Sequence, residues 1–463
     1  MKYAIIFLIS SPTFGSISPK AVKESAFKYH PSVLAAIERM QEGEEAVIGA
    51  KGAFDTKIVS DYRRQMKDDY RTTVSRSFMV KPLPVANSRI YAGSEQISNP
   101  SGKMSPVYNT SNPATTGQHG NYSVLGLQFS LWKNLFIDPQ RAALKSAKLG
   151  ARKARAEKSL MEWDIVRLSQ LAYWEWVTAL KVKKTYEELL KNSEVRSEYL
   201  SARSKKGDIA QIVVTENEQY IASRKGLLQT ALERLVRAEF AVSLFYRDTN
   251  GNPILIEAGE EYEDYPANLG SIMEKLDLNA NIDDLMRKRP DLKNLNLMVE
   301  QTGVDLELAQ QDLKPQLDIT TEYYQRTSDQ ANQPRDYLMV MAQVSVPIER
   351  NLGQGNLGAA KARRMVAQRE LNLGLQTYKF EVMALRQALK LRLEQVTQAE
   401  IELKKARELV ETETYKFKTG GGNLFLVNIR EEAQTSAEAS FHEARLAFMD
   451  TVLRYQALIN TEE

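Results

Sequence analysis

Few residues in this chain are equipped for chemistry. Cysteine is absent, and histidine occurs only at His30, His119 and His442, with no spacing that lets two of them share a metal ion. Thiol nucleophiles, disulfides, cysteine metal sites and a lipid-modified N-terminal cysteine are excluded. No convergent set of histidines and carboxylates suggests catalysis, so no enzyme, metal or cofactor is expected. One motif remains. Gly353, Gly355 and Gly358 spell G-x-G-x-x-G inside "YLMVMAQVSVPIERNLGQGNLGAAKARR", where a β-rich segment runs into a helix. A dinucleotide-binding first strand is buried on both faces and reads as a continuous apolar run, whereas Leu338–Ile348 alternates. The helix that follows has no strand behind it to present an acidic residue to a ribose, and Glu370 and Glu381 lie inside it. The equivalent junction in the first half, "WKNLFIDPQRAAL", contains no glycine. No nucleotide is expected, and the glycines are read as a bend from strand to helix.

The elements that would position any site come from proline, periodicity and repetition. All fifteen prolines lie at or before Pro139 or between Pro253 and Pro347. The two proline-free stretches both read as helix hairpins. The first spans 138–248, with Asp138 and Pro139 as its start signal and a turn at Gly207; the second spans 357–461 and turns at Thr419–Leu424. A helix of roughly 65 residues is about 100 Å long, deeper than any globular core. The halves also correspond in detail: "YHPSVLAAIERMQEGEEAVIGAKG" matches "KRPDLKNLNLMVEQTGVDLELAQQ", and "QFSL" matches "QVSV". The chain is thus read as a first repeat at 17–248, a connector at 249–282 and a second repeat at 283–463.

Each repeat carries two strand candidates, at 53–65 and 122–133, then 315–326 and 337–348, with a long insertion between the first two. Leu125, Leu127, Phe129 and Leu131 share one face and oppose Gly126, Gln128 and Ser130. Leu317, Ile319 and Tyr323 oppose Asp318, Thr320 and Glu322; Val340, Val344 and Val346 oppose Gln343 and Ser345. Such alternation over about ten residues fits a barrel strand between lipid and water. It fits a half-buried sheet of a soluble protein equally well.

Net charge is +3, with no basic tail, so nucleic acid is not an expected partner. The N-terminus "MKYAIIFLISSPTFGS" has a lysine, an apolar core and small residues; it reads as an export signal over 1–16, or else as a buried strand. No later segment offers the ~20 apolar residues of a membrane helix. Any membrane insertion must be by strands.

In order and spacing, these elements resemble the TolC-type outer membrane efflux proteins, over essentially the whole chain after residue 16. The more specific marks are "RKRPDLKNLNLMVEQTGVDLELAQQDLKPQLDI" (287–319) and "GNLFLVNIREEAQ" (422–434). The resemblance implies an α+β membrane protein in which long helical hairpins form a periplasmic α-barrel. Four strands per chain would enter a twelve-stranded β-barrel shared by a homotrimer. It further implies a passive exit duct in the outer membrane, working with a periplasmic adaptor and an inner-membrane transporter. Sharing has a physical basis too: four strands cannot close a barrel, and open edges in lipid leave backbone groups unpaired. The alternative class is a soluble periplasmic coiled-coil adaptor or structural protein.

By the same resemblance the hairpin tips form the aperture and dock the adaptor: Gly207, Asp208 and Ile209 in the first, Gly420, Gly421, Gly422, Asn423 and Leu424 in the second. Familiar members carry acids just after the second tip; here Leu426–Arg430 holds none, which argues against a cation-binding gate. Asn428 and Arg430 are expected to reach a neighbouring subunit, Arg430 pairing with Asp208 or Glu216 of the adjoining tip. Lys145, Lys148, Arg152 and Arg155 oppose the dipole at the start of their helix. They are read as ion-paired to neighbouring helices, or as contacts to phospholipid phosphates. Tyr173, Trp174 and Trp176 are expected to pack between helices.

Overall fold

A computed structural model describes residues 17–67, 70–98, 120–256, 259–327 and 336–459, which leaves the signal-like segment outside. Helices α1 (Pro19–Tyr29) and α2 (Pro31–Lys51) lead into strands β1 (Lys57–Lys67), β2 (Tyr70–Leu83), β3 (Ser88–Ser98) and β4 (Gly120–Ser130). The first helical hairpin follows as α3 (Pro139–Lys205) and α4 (Gln211–Phe245). Short helices α5 (Gly270–Lys275) and α6 (Ile282–Lys288) precede α7 (Pro290–Gln311), β5 (Gln316–Arg326) and β6 (Asp336–Ser345). The second hairpin is α8 (Asn351–Lys418) and α9 (Leu424–Ile459). The hairpin arms have 67 and 35 residues in the first copy and 68 and 36 in the second, so each arm is matched to within one residue. Contacts gather the chain into two compact units, each drawn from both halves of the sequence. One comprises Met1–Glu38, Glu157–Leu292 and Gly374–Glu463; the other comprises Arg39–Ala156 and Lys293–Leu373.

The second unit holds the sheet, and the sheet departs from expectation. It has six strands, all antiparallel, in the order β1-β2-β3-β4-β5-β6. Four are predicted, with 66–121 as an insertion, but that insertion contributes the full-length hairpin β2–β3. Its period of two is masked by composition. Thr73, Ser75 and Ser77 stand where lipid-type residues would signal a strand, and Pro82 and Gly93 lower β-propensity further.

The register aligns residues of all six strands into mostly apolar rows on one face. Ile58, Met79, Ala92, Leu125, Tyr323 and Leu338 form one cross-strand row, and Leu127, Thr321 and Val340 form part of the next. This face is solvent-accessible: Leu125 is 52% exposed and Val344 65%. Leu131 and Val346, expected on the same strands, lie beyond the strand ends at Ser130 and Ser345.

The opposite face is packed. Val74, Ile97, Tyr122, Val124 and Tyr324 form a buried band against Phe78 and Met339. Beside it Arg76 pairs with the buried Glu95 at 3.0 Å, and Glu322 accepts hydrogen bonds from the hydroxyls of Tyr91 and Tyr324. Glycine makes this close packing feasible. A Cβ at Gly126 would lie 2.2 Å from the Tyr91 ring, which crosses directly over it.

At the sheet's exit Asp138 fixes the start of α3. Its carboxylate accepts the backbone N–H of Arg141 at 2.8 Å and the Arg141 Nε at 2.6 Å, and Arg141 also donates to the carbonyls of Asn134 and Leu135. The basic run on α3 is ion-paired within this unit: Lys145 to Glu307 (3.2 Å), Arg152 to Glu300 (3.2 Å) and Arg155 to Glu44 (2.6 Å). The ion-paired reading therefore holds for these three.

The G-x-G-x-x-G glycines are not a bend. All three lie inside α8, and the left-handed residue before it is Arg350, at φ 56°. Gly353 has a packing role: a Cβ there would meet Leu313 at 2.9 Å and the Asp312 carbonyl at 3.0 Å.

In the first unit Tyr173, Trp174 and Trp176 are buried as expected, in edge-to-face pairs with centroids 5.1 and 5.8 Å apart. Such pairs contribute roughly 0.5–1.5 kcal/mol each beyond burial. Trp174 also stacks on Tyr265 of the connector at 4.7 Å. The Tyr173 hydroxyl accepts the Glu263 N–H at 2.9 Å, which fastens that connector to α3. The buried positions of α4 follow a seven-residue period. Asn217, Arg224, Ala231 and Ala238 make one line; Val214, Leu235 and Val242 make the other. This is a coiled-coil seam with two polar residues in it.

Candidate functional site

Both hairpin turns close by the same local chemistry. In the first, the N–H of Asp208 donates to the Arg203 carbonyl (3.0 Å) and that of Gly207 to Ser204 (3.0 Å), with Gly207 at φ 81°. In the second, Gly421 donates to Lys416 (2.9 Å) and Gly420 to Phe417 (3.3 Å), with Gly420 at φ 85°. Each is a Schellman motif with its glycine in the left-handed region, satisfying carbonyls that the helix end would leave orphaned. Asp208 further pairs with its own Arg203 at 3.9 Å.

The three consecutive glycines are not equivalent. Gly420 supplies the positive φ. Gly422 is held against backbone, since a Cβ would sit 2.6 Å from the Phe417 nitrogen. Gly421 has neither constraint: its nearest neighbour is the Lys416 carbonyl at 4.0 Å. Asn423 then caps α9, its side chain accepting the Phe425 N–H at 2.9 Å. The two turns pack together through Leu200, Val214 and Leu424, with Ile209, Val213 and Phe417 around them. Ile209 and Leu424 thus act as the apolar clasp between the turns.

One to four helical turns inside the tips, counted along each helix, lies a buried polar cluster. Glu431 receives Arg196 on one oxygen and Arg224 on the other, the latter at 3.0 Å. Asn428 Oδ1 accepts from Arg196 at 2.7 Å and from Arg224 at 3.4 Å. Arg224 also donates to Ser193 Oγ, and Asn217 Nδ2 to the Ser193 carbonyl at 3.3 Å. Arg224 is 1% exposed and Glu431 7%. Burial lowers the Arg224 pKa and the Glu431 carboxylate opposes that shift. The cluster ties α9 of the second hairpin to both helices of the first. Two guanidiniums share one carboxylate, and Arg224 Nε, Asn217 Oδ1 and Asn428 Nδ2 have no hydrogen-bond partner among the described residues. A cluster satisfied so incompletely is costly to keep.

This geometry corrects the expectation for Asn428. Its side chain is fully buried and engaged within its own chain, so it does not reach a neighbouring subunit. The next residue but one, Arg430, is half-buried and has no hydrogen-bond or ion-pair partner among the described residues. Glu431, rather than forming a cation site, is consumed by two arginines. Arg196 and Arg224 are absent from the expected site. Their signal was available for Arg224, which falls on the apolar seam of α4 seven residues after Asn217. No group of three or more His, Asp or Glu among the described residues is arranged to hold a metal.

No family model matches the sequence, and comparison with curated proteins finds no match. Solved structures do match, end to end. The outer membrane protein VceC of Vibrio cholerae is 16% identical with a TM-score of 0.66, over 96% of this chain and 97% of that one. The CmeC outer membrane channel of Campylobacter jejuni is 13% identical with a TM-score of 0.67, over 95% and 85%. The open state of the Neisseria gonorrhoeae MtrE outer membrane channel is 14% identical with a TM-score of 0.64, over 95% and 88%. With its paired helical hairpins, antiparallel strands and clasped tips, the chain has the fold of the TolC-type outer membrane channels.

Proposed function

We propose that this chain is a passive exit duct in the outer membrane, assembled as a homotrimer. A periplasmic adaptor docks on the hairpin tips, and an inner-membrane transporter supplies the energy. The observation that carries the reading is the sheet: an apolar, accessible face on strands whose two edges, β1 and β6, have no partner among the described residues. In water such edges invite aggregation, and in lipid each unpaired backbone group costs several kcal/mol. Copies of the same chain are the simplest way to complete them. The tip cluster gives the duct its resting state. Opening the second hairpin away from the first means separating Glu431 and Asn428 from Arg196 and Arg224, and Arg430 is free to hold a neighbouring tip.

The test is fractionation followed by native mass spectrometry in detergent, then conductance in planar bilayers. Three copies, a detergent requirement and ion conductance are expected. A single copy, soluble without detergent, would refute the duct and favour the coiled-coil adaptor.

A further inference from the structure

We propose that the assembled wall of this channel contains eighteen strands, six from each of three chains, instead of the twelve that the family resemblance implies. The inference rests on the exit-duct reading above and concerns the hairpin β2–β3.

Three observations place this hairpin in the wall and not outside it. First, its pairing is complete. β1 and β2 are registered over eleven residues, β2 and β3 over eleven, and β3 and β4 over nine, as many as join β4 to β5. Second, its turn returns to the helix-side end of the sheet. β1 leaves the helices and β2 comes back to them, so Pro84–Asn87 lies beside the end of β4. There the Ser130 N–H donates to the Ala86 carbonyl at 2.9 Å, and Asn87 Nδ2 donates to Ser130 Oγ at 3.2 Å. Ser130 in turn donates to Asp318 of β5 at 2.7 Å. Ala86 and Asn87 both have positive φ, 52° and 48°, as a tight hairpin between right-twisted strands requires. Third, the hairpin is locked sideways to strands beyond its neighbour. Tyr91 on β3 reaches over Gly126 on β4 to bond Glu322 on β5. A hairpin that peeled away would break this bond and would uncover Val74 and Ile97, which pack against Tyr122 and Val124 of β4.

Six strands are too few to close on themselves, since single-chain membrane barrels begin at eight. β1 runs away from the helices and β6 towards them, so β6 of one copy meets β1 of the next antiparallel, and three copies close the ring. At about 4.8 Å between strands and a tilt of about 40°, eighteen strands give a wall roughly 36 Å across, against roughly 24 Å for twelve. The second value leaves a lumen narrowed by inward side chains; the first is in the range of the open, water-filled porins. The wall of this channel is therefore wider than a twelve-stranded one, and its inward face carries the apolar band of Val74, Ile97, Val124 and Tyr324. The inward face carries both signs, with Arg63, Arg76 and Arg89 among its cations and Asp61, Glu95 and Glu322 among its anions.

The direct test is a strand count by electron cryomicroscopy of the trimer in lipid nanodiscs. A chemical test accompanies it, made clean by the absence of native cysteine. Ile58 and Leu125 lie in one cross-strand row with β2 and β3 between them, about 14 Å apart at ordinary strand spacing. That is too far for a disulfide. The double variant Ile58→Cys/Leu125→Cys is expected to stay unlinked under oxidant while the trimer shows eighteen strands. A trimer with twelve strands, in which β1 sits against β4 and the same pair links, would overturn the inference and leave the exit-duct reading intact. A single soluble copy would overturn both.

Discussion

Replacing Glu431 with Gln tests whether the buried cluster holds the second hairpin to the first. The substitution keeps shape and one acceptor oxygen but turns the other into a donor facing a guanidinium. Arg224, only 1% exposed and 3.0 Å from Glu431, then has no ionic partner. Breaking a buried pair by removing one member costs about 3–5 kcal/mol. Arg196 is closer to solvent and can turn outwards, so the lower figure applies here. About 3 kcal/mol corresponds to a roughly 100-fold increase in the population of the opened form. Hydrogen exchange read by mass spectrometry reports that population directly. Peptides covering Leu424–Thr435 should lose protection by about two orders of magnitude in Glu431→Gln, while peptides from the far end of α9, near Phe448–Leu458, stay unchanged. The double variant Arg224→Met/Glu431→Met should recover much of the loss, because an apolar pair leaves no buried ion unmatched. Unchanged exchange at the tip would refute the clasp, and equal loss along the whole helix would mean general destabilisation instead.

Other substitutions probe other elements. At the second turn, Gly420→Ala and Gly422→Ala should each lower the melting temperature, the first through strain of about 1–2 kcal/mol in the left-handed region and the second through its backbone clash; Gly421→Ala should melt like wild type. Leu125→Arg or Val344→Arg should cost about 2–4 kcal/mol at mid-membrane and reduce trimer yield in urea titrations, whereas Ser345→Arg on the opposite face should not. Arg430→Ala should raise single-channel conductance without loss of trimer; unchanged conductance would leave Arg430 outside the gate. His442 is buried beside Arg445, Lys181 and Arg407, with Asp264 opposing them, and burial first and those cations second bring its pKa down to about 4. The unfolded chain binds this proton at about 6.5, so stability should be full above that pH and decline as pH falls from there to about 4. The whole effect is no more than about 3 kcal/mol. Thermal melts of His442→Gln should lack that component of the acid dependence.

Much of this was legible in the sequence because it rests on strong local signals. The helical hairpins follow from proline placement and their turns from glycine, and the structure puts those turns at 206–210 and 419–423. The lipid-type alternation of β4, β5 and β6 was visible because, Val124 apart, Leu, Ile and Val share one parity there. β2 and β3 were not visible for a local reason: serines and threonines fill the outward positions, so the period of two carries little contrast in polarity. The buried cluster was hidden for a different reason. Arg196, Arg224 and Glu431 are separated by up to 235 residues, and only their packing shows that two cations meet one anion. Arg224 alone left a trace, as a charge inside a seven-residue apolar repeat.

The pairing of β4 with β5 has a consequence for how the chain reaches its native state. β1 to β4 follow one another as a meander and can zip by successive short closures. β5 is different: Ser130 and Asp318, bonded across that junction, are 188 residues apart. Closing a flexible loop of that length costs about 4–5 kcal/mol of chain entropy before any contact repays it. The whole first helical hairpin must therefore be made before β4 finds its neighbour. Through that interval Leu125, Leu127 and Phe129 stand on an edge open to mispairing, at the stage when partly folded chains are most prone to aggregate. A nascent chain of this design needs a holding chaperone with affinity for extended apolar segments, and needs it for the time taken to make α3 and α4.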